Sequence, residues 1–136
     1  MLDEAAQIWN IDVRKVYLHG FSGGGQFVSH FMFNHPDRLR AVSIGAPGRI
    51  TLPSPQSSVD LDVQIVVGEK DTDTSLFGDE DNETRVSKCH RLYQHYTESL
   101  GMQRVEIRVV EGVGHDGMGV VEELKRWMMG AIASGR

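Results

Sequence analysis

The sequence predicts an α/β fold in which a mostly parallel sheet carries helices on both faces. The first observation is the order of the elements, since short apolar runs and amphipathic stretches alternate along the 136 residues as αβαβ(loop)βαβα. Such alternation is typical of parallel strands joined by crossover helices. The second is a globular composition, 40% hydrophobic and 24% charged. Because no repeat or linker divides the chain, we expect a single domain over residues 1–136.

The first half of the chain is predicted to contain two helices and two strands. Apolar residues at helical spacing indicate a helix over 2–10, and the run Val16–Leu18 indicates the first strand. A second helix follows a glycine-rich turn and ends at Pro36, because proline lacks the amide hydrogen that a helix needs. The run 41–44 predicts the second strand, and a loop rich in proline and serine follows over 47–60.

The second half is predicted to contain two strands, an acidic loop and two helices. In order, these are a strand over 63–67, an acidic loop over 71–83, a helix over 86–100, a strand over 105–110 and a closing helix over 120–131. The first of these helices stops at Gly101, since glycine readily adopts the left-handed conformation of a C′ position. Ligands of parallel sheets bind at the carboxyl ends of the strands, so we expect the functional residues in the loops there.

A glycine-rich turn between the first strand and the second helix is the most informative motif. A phosphate loop is disfavoured because Gln26 stands where that motif requires lysine, and no register gives the glycine spacing of a dinucleotide-binding turn. The pattern G-x-S-x-G fits without gaps, as Gly20-Phe21-Ser22-Gly23-Gly24. This pattern is typical of a nucleophilic serine on a sharp turn between a strand and a helix.

The chemistry of such a turn assigns a role to each of its residues. The serine, Ser22, is expected in a strained backbone conformation, with Gly20 and Gly24 relieving a close contact between the residues on either side. The backbone N–H of Gly23 would face a carbonyl that Ser22 attacks, and the following helix N-terminus would favour the developing negative charge.

Two polar residues follow the third and fourth strands and complete a candidate triad. Asp71 ends the stretch Gly68-Glu69-Lys70-Asp71, and His115 ends Gly112-Val113-Gly114-His115. A nucleophilic serine needs a base, and the base needs a carboxylate that orients it. Asp73 is the alternative carboxylate, and His19 is the alternative base. The remaining histidines are interpreted as surface or capping residues: His30, His35, His90 and His95.

The residues 13–48, with Val16–Gly25 and His35–Arg38, resemble the α/β-hydrolase superfamily, especially its esterase and polyhydroxybutyrate-depolymerase-like branches. The resemblance continues through 67–71 and Gly114-His115 to the last helix. It implies that Ser22 is the nucleophile, His115 the general base and Asp71 the residue that orients the base, with the N–H of Gly23 as an oxyanion donor. It implies no cofactor.

The chain also departs from that superfamily, whose members usually have a sheet with about twice as many strands. The predicted strands resemble the last half of that sheet, so the fold expected is a partial α/β-hydrolase fold of about four strands. The first half, and the loop that supplies a second oxyanion N–H, are not matched by any part of this sequence. The strand Val16–Leu18 would then have an exposed apolar edge, which is prone to pair with another chain. We expect a piece of a longer hydrolase or a chain that associates through this edge.

These observations predict a serine hydrolase of carboxylic esters that acts through an acyl-enzyme. The loop over 47–60 is too short to roof a pocket, so a small or a polymeric ester could enter. The alternative from another class is a non-catalytic hydrolase-like module that binds a ligand, motivated by the missing half of the sheet. A nucleotide-binding fold is a third, disfavoured hypothesis.

The composition excludes several other classes. With 14 Lys and Arg against 19 Asp and Glu, and no basic cluster, nucleic acid is not expected as a partner. No apolar run approaches the roughly 20 residues of a membrane span, and no secretory signal follows Met1, so the default expectation is a cytoplasmic protein.

The run 71–76 begins like a calcium loop, but Leu76 replaces the required glycine, and no metal site is expected. The acidic cluster 79–83 is interpreted as a charged rim, with calcium binding as the alternative. Cys89, the single cysteine, is interpreted as a small buried hydrophobe.

Overall fold

The computed structural model describes Glu4 and residues 15–72 and 82–134. The predicted helix over 2–10 therefore lies outside the described residues, apart from Glu4. Most of the acidic loop over 71–83 lies outside them as well, including Asp73 and the cluster 79–81.

Within the described residues, four strands form one parallel sheet whose spatial order is the order of the chain. They are β1 (Val16–Phe21), β2 (Leu39–Gly45), β3 (Asp62–Gly68) and β4 (Val105–Val110). The predicted strand Val16–Leu18 was too short, because pairing with β2 carries β1 through Gly20 and Phe21 into the turn. All four strands end at the same edge of the sheet, as the sequence predicted for a parallel arrangement.

In the part of the chain that the structure describes, the sheet is connected and closed by the helices α1 (Gly23–Asn34), α2 (Arg85–Gln94) and α3 (Val121–Ala133). The predicted helix over 86–100 divides into α2 and a π-helical turn at His95–Ser99. Gly101, which follows this turn, has a φ of 67°, in the left-handed region expected of a C′ glycine. Short 3₁₀ turns occur at Pro36–Arg38, Pro55–Ser57 and Met118–Val120.

The main hydrophobic core lies on one face of the sheet. Alternate residues of the central strands, including Val42, Ile44 and Ile65, are fully buried there against α1 and α2. Met32 contributes from α1 and Leu92 from α2. The side chains between these positions must point to the opposite face, because successive side chains of a strand alternate.

Helix α3 covers part of that opposite face. The side chain of Gln64, which alternates with the core residues of β3, donates from Nε2 to the backbone oxygen of Glu123 in α3 over 3.3 Å. Helices thus pack on both faces of a parallel sheet, which confirms the predicted α/β fold class. Within the described residues, no helix combines the length and the apolar character that crossing a bilayer requires.

Candidate active site

Ser22 occupies the turn between β1 and α1 in a strained backbone conformation, with φ 59° and ψ −116°. Positive φ is costly for a residue other than glycine and persists only where neighbouring contacts hold it. Two hydrogen bonds do so here: the Ser22 N–H donates to the Gly45 carbonyl over 2.8 Å, and the Gln26 N–H donates to the Ser22 carbonyl over 3.1 Å. The Ser22 hydroxyl does not cap α1, so it remains available for another contact.

The glycines of the turn have unequal roles. A Cβ atom at position 20 would lie 2.1 Å from the backbone oxygen of Gly24, so only glycine fits at position 20. A Cβ at position 24 would have no atom within 4 Å, and the prediction that Gly24 relieves a contact through its own missing side chain is wrong. Gly25, which was not predicted to have a role, is sterically required, since a Cβ there would lie 2.4 Å from the Gly45 carbonyl oxygen. Its signal was the third glycine of the run.

Gly23 begins α1 and is exposed. The first N–H groups of a helix have no partner within the helix, and the positive end of the helix dipole lies there. The N–H of Gly23 is therefore in the position in the chain that an oxyanion donor requires.

Phe21, the residue before the serine, packs beside the imidazole of His115, with 4.9 Å between the ring centroids.

The loops after β3 and β4 are joined by backbone contacts. The Lys70 N–H donates to the Val113 carbonyl over 2.7 Å, and the Glu69 N–H donates to Val110 over 2.9 Å. A Cβ at Gly68 would lie 2.3 Å from the Val113 oxygen, so glycine at the end of β3 permits this approach. Because the two loops run side by side, the residues that follow them are brought together.

Ser22, His115 and Asp71 form one continuous chain of side-chain contacts. The His115 Nδ1 lies 2.7 Å from Asp71 Oδ2, and His115 Nε2 lies 3.2 Å from Ser22 Oγ. An ionised carboxylate only accepts hydrogen bonds, so Nδ1 carries the proton and the Nε2 lone pair faces the serine hydroxyl. The Asp71 side chain is 2% exposed and that of His115 is 13% exposed, so the carboxylate is sequestered behind the ring.

Helix α2 contributes two buried cations that were not predicted from the sequence: Arg85, which lies near Asp71, and Lys88. Arg85 Nε lies 4.0 Å from Asp71 Oδ1, and Arg85 Nη1 donates to the Ala46 carbonyl over 2.8 Å. Lys88 Nζ donates to the Gly48 carbonyl over 2.7 Å. Their signal in the sequence was the spacing, since positions 85, 88 and 92 fall on the buried stripe of the helix.

Cys89 is fully buried beside this cluster. The pKa of its thiol is raised to about 12, chiefly by burial and also by the negative charge of Asp71, while the positive charge of Arg85 opposes the rise. The thiol is therefore held in its protonated form, as expected for a buried cysteine that behaves as a small hydrophobe.

His19, the alternative base, is engaged elsewhere. Its Nδ1 lies 3.0 Å from Ser43 Oγ, and Ser43 Oγ donates in turn to Gln64 Oε1 over 2.8 Å. Gln64 Nε2 lies 3.5 Å from Glu106 Oε1, so a row of polar side chains crosses all four strands. Burial lowers the pKa of His19, a hydrogen bond with the Ser43 backbone partly offsets this, and the net effect favours the neutral ring. Asp73, the alternative carboxylate, lies outside the described residues.

Neither a comparison with protein-family models nor one with curated proteins gives a match. Solved structures do match. The chain superposes on the siderophore hydrolase EstA from Aspergillus nidulans with a TM-score of 0.63 and 12% identity, covering 96% of this chain and 54% of that one. It superposes on the carboxylesterase of Bacillus cereus with a TM-score of 0.61 and 20% identity, covering 96% and 56%.

This is a partial α/β-hydrolase fold. A hydrolase from Thermoplasma acidophilum gives the same result, with a TM-score of 0.57, 16% identity and coverage of 96% and 54%. The chain thus spans about half the length of the α/β-hydrolase structures that it matches. The α/β-hydrolase fold predicted from the serine turn is confirmed, together with its partial extent.

Among residues 15–72 and 82–134, no group of three His, Cys, Asp or Glu side chains converges as a metal site. The chemistry available at this edge of the sheet is that of a hydroxyl, an imidazole and a carboxylate in series.

Proposed function

We propose that this chain carries the nucleophile, the general base and the orienting carboxylate of a serine hydrolase that cleaves carboxylic esters. The observation that supports the proposal is the continuous contact from Ser22 Oγ through His115 to Asp71, at 3.2 and 2.7 Å. The strained backbone of Ser22 adds to it, because strain of this kind concentrates at functional sites. The esterases among the structural neighbours support an ester as substrate.

The reaction follows from the positions of the protons. His115 Nε2 takes the hydroxyl proton as Ser22 Oγ attacks the ester carbonyl, and the imidazolium then gives that proton to the departing alcohol oxygen. The acyl group remains on Ser22. Water, deprotonated by the same imidazole, attacks the acyl carbon, and the acid leaves as the proton returns to Ser22. Asp71 holds the ring and stabilises the imidazolium, while the Gly23 N–H receives the oxyanion.

We further propose that residues 1–136 are one domain that forms half of a longer hydrolase sheet. Within the described residues β1 pairs only with β2, so a strand could be added on the other side of β1. That strand would come from another segment of a longer polypeptide or from a second copy of the chain. A second oxyanion donor would come with it, and lacking one such donor raises a barrier by about 3 kcal/mol.

A non-catalytic hydrolase-like module is the second candidate. It is favoured by the length of the match, 54–56% of the structures compared, because half a sheet offers half an oxyanion hole. Such a module would keep the geometry of Ser22 and His115 without an acyl-enzyme step.

A fluorophosphonate probe separates these two functions, since it phosphonylates only an activated serine. We expect labelling of the wild-type chain, none of Ser22→Ala, and wild-type labelling of Ser58→Ala, which removes an exposed loop serine. The labelling rate should fall toward acidic pH, as the base gains a proton. A rate that stays flat down to about pH 4 would count against His115 as the base. If neither the chain nor a version extended at its N-terminus is labelled, the non-catalytic module is favoured.

A further inference from the structure

A buried arginine, Arg85, connects the loop that carries Asp71 with the strand end that supports Ser22. Arg85 is 2% exposed, and a buried guanidinium is costly unless its donors are matched by acceptors. Two of its contacts go to different parts of the site: Nε faces Asp71 Oδ1 at 4.0 Å, and Nη1 donates to the Ala46 carbonyl over 2.8 Å. One side chain of α2 therefore contacts both the carboxylate loop and the end of β2.

The end of β2 is also the support of the nucleophile. Ala46 has a φ of 38°, which is unfavourable for alanine, and it follows Gly45, whose carbonyl accepts the N–H of Ser22 over 2.8 Å. A Cβ at Gly48 would lie 2.9 Å from Arg85 Nη1, so glycine there leaves room for the guanidinium. The contacts thus run from Asp71 through Arg85, Ala46 and Gly45 to Ser22.

The two oxygens of the Asp71 carboxylate have different partners. Oδ2 lies 2.7 Å from His115 Nδ1, whereas Oδ1 faces Arg85 Nε. The guanidinium charge attracts Oδ1 across 4.0 Å and so favours the carboxylate rotation that turns Oδ2 toward the imidazole. The positive charge of Arg85 also disfavours protonation of His115, because like charges repel.

We propose that Arg85 is a positioning residue of the active site, which orients Asp71 toward His115 and ties it to the strand end that holds Ser22. The proposal rests on the proposed serine hydrolase function. Arg85 touches no reacting atom, so it acts through Asp71 and through Ala46. Loss of its charge is expected to make protonation of His115 easier, because a nearby like charge is removed.

The test compares Arg85→Gln, Arg85→Lys and the wild-type chain by two independent measurements. The first is the rate of fluorophosphonate labelling as a function of pH, and the second is an NMR pH titration of the His115 ring, which needs no activity. Among the described residues, Arg85 and Cys89 of α2 are titratable or charged groups beside Asp71, and Asp116 follows His115 in the chain. Thermal unfolding followed by circular dichroism verifies that each variant is folded.

For Arg85→Gln we expect labelling to slow by about tenfold to a hundredfold, as for a misplaced catalytic group. The acid limb of its profile and the His115 titration midpoint should both move to higher pH, and Arg85→Lys, which keeps the charge, should return both toward the wild-type position. Lys88→Met is the matched control, since it removes a buried cation that binds the same loop at Gly48. It should lower stability without moving either midpoint.

The proposal is overturned if folded Arg85→Gln has the wild-type midpoint, or if Lys88→Met moves the midpoint as far as Arg85→Gln does. If the wild-type chain is not labelled at all, the hydrolase function of the isolated chain fails. The NMR titration still decides whether Arg85 acts on His115 in that case, so the two failures are distinguishable.

Discussion

Gly25 of α1 lies against Gly45 of β2 so closely that a Cβ atom at position 25 would be 2.4 Å from the Gly45 carbonyl oxygen. The same carbonyl accepts the N–H of Ser22. The contact between helix and strand and the position of the nucleophile therefore depend on one backbone group. A side chain at position 25 would have to push α1 away from β2 and would disturb Ser22 at the same time.

We expect Gly25→Ala to lower the free energy of unfolding by about 2–4 kcal/mol, because backbone atoms cannot move aside as a flexible side chain can. It should also abolish labelling of Ser22. Gly24→Ala is the matched control, since its Cβ meets no atom within 4 Å. That change should leave stability unchanged or raise it by up to about 1 kcal/mol, as alanine favours a helix. Chemical denaturation measures the free energy of unfolding of both variants. Equal losses of stability would contradict the finding that only position 25 of the two lies against the Gly45 carbonyl.

The strain at Ser22 predicts a difference between two inactive variants. Ser22→Ala and Ser22→Gly both remove the hydroxyl, but only glycine adopts φ 59° without steric cost. Ser22→Gly should therefore be more stable than Ser22→Ala by about 1–3 kcal/mol, less the entropy that glycine loses on folding. Denaturant unfolding of the two proteins checks this. Equal stability would mean that the turn is not strained.

The proposed triad could be predicted from the sequence because its members follow parallel strands. The carboxyl ends of such strands meet at one edge, so the positions of Ser22, Asp71 and His115 after three of the strands were enough to bring them together. The length of β1 could not be predicted in the same way. Gly20 and Phe21 have the local character of a turn, and only pairing with the buried strand β2 shows that they are still strand.

Contacts between segments that are distant in the chain could not be predicted from the sequence. The motif gives the spacing of Gly20, Gly24 and Gly25, but the side of α1 that meets β2 decides which glycine is sterically required. Arg85 was missed for a similar reason. A charged residue near the start of a helix is normally solvated, and its burial follows from acceptors on Asp71 and Ala46 that are distant in the chain.

The buried thiol of Cys89 predicts both a reactivity and a pH effect. Its pKa is about 12 in the folded chain and 9.0 without burial, so thiol reagents at pH near 8 should modify Cys89 only after unfolding. Because the unfolded chain loses this proton first as pH rises, the contribution of Cys89 to stability is complete below about pH 9. It then falls by about 1.4 kcal/mol per pH unit toward pH 12. Comparing the wild-type chain with Cys89→Ala over this range measures the slope, and rapid modification of the native protein would contradict burial.

Ser43 holds the polar row together on the face of the sheet opposite the core. It is fully buried and donates to Gln64 Oε1, which is also buried, while the ring of His19 donates to it from Nδ1. Ser43→Ala leaves the Gln64 oxygen without this donor, which should cost about 1–3 kcal/mol. Ser43→Thr keeps the hydroxyl and is the control for its loss. Unfolding of the three proteins measures this cost, and an alanine variant as stable as the wild type would show that the row contributes nothing to the fold.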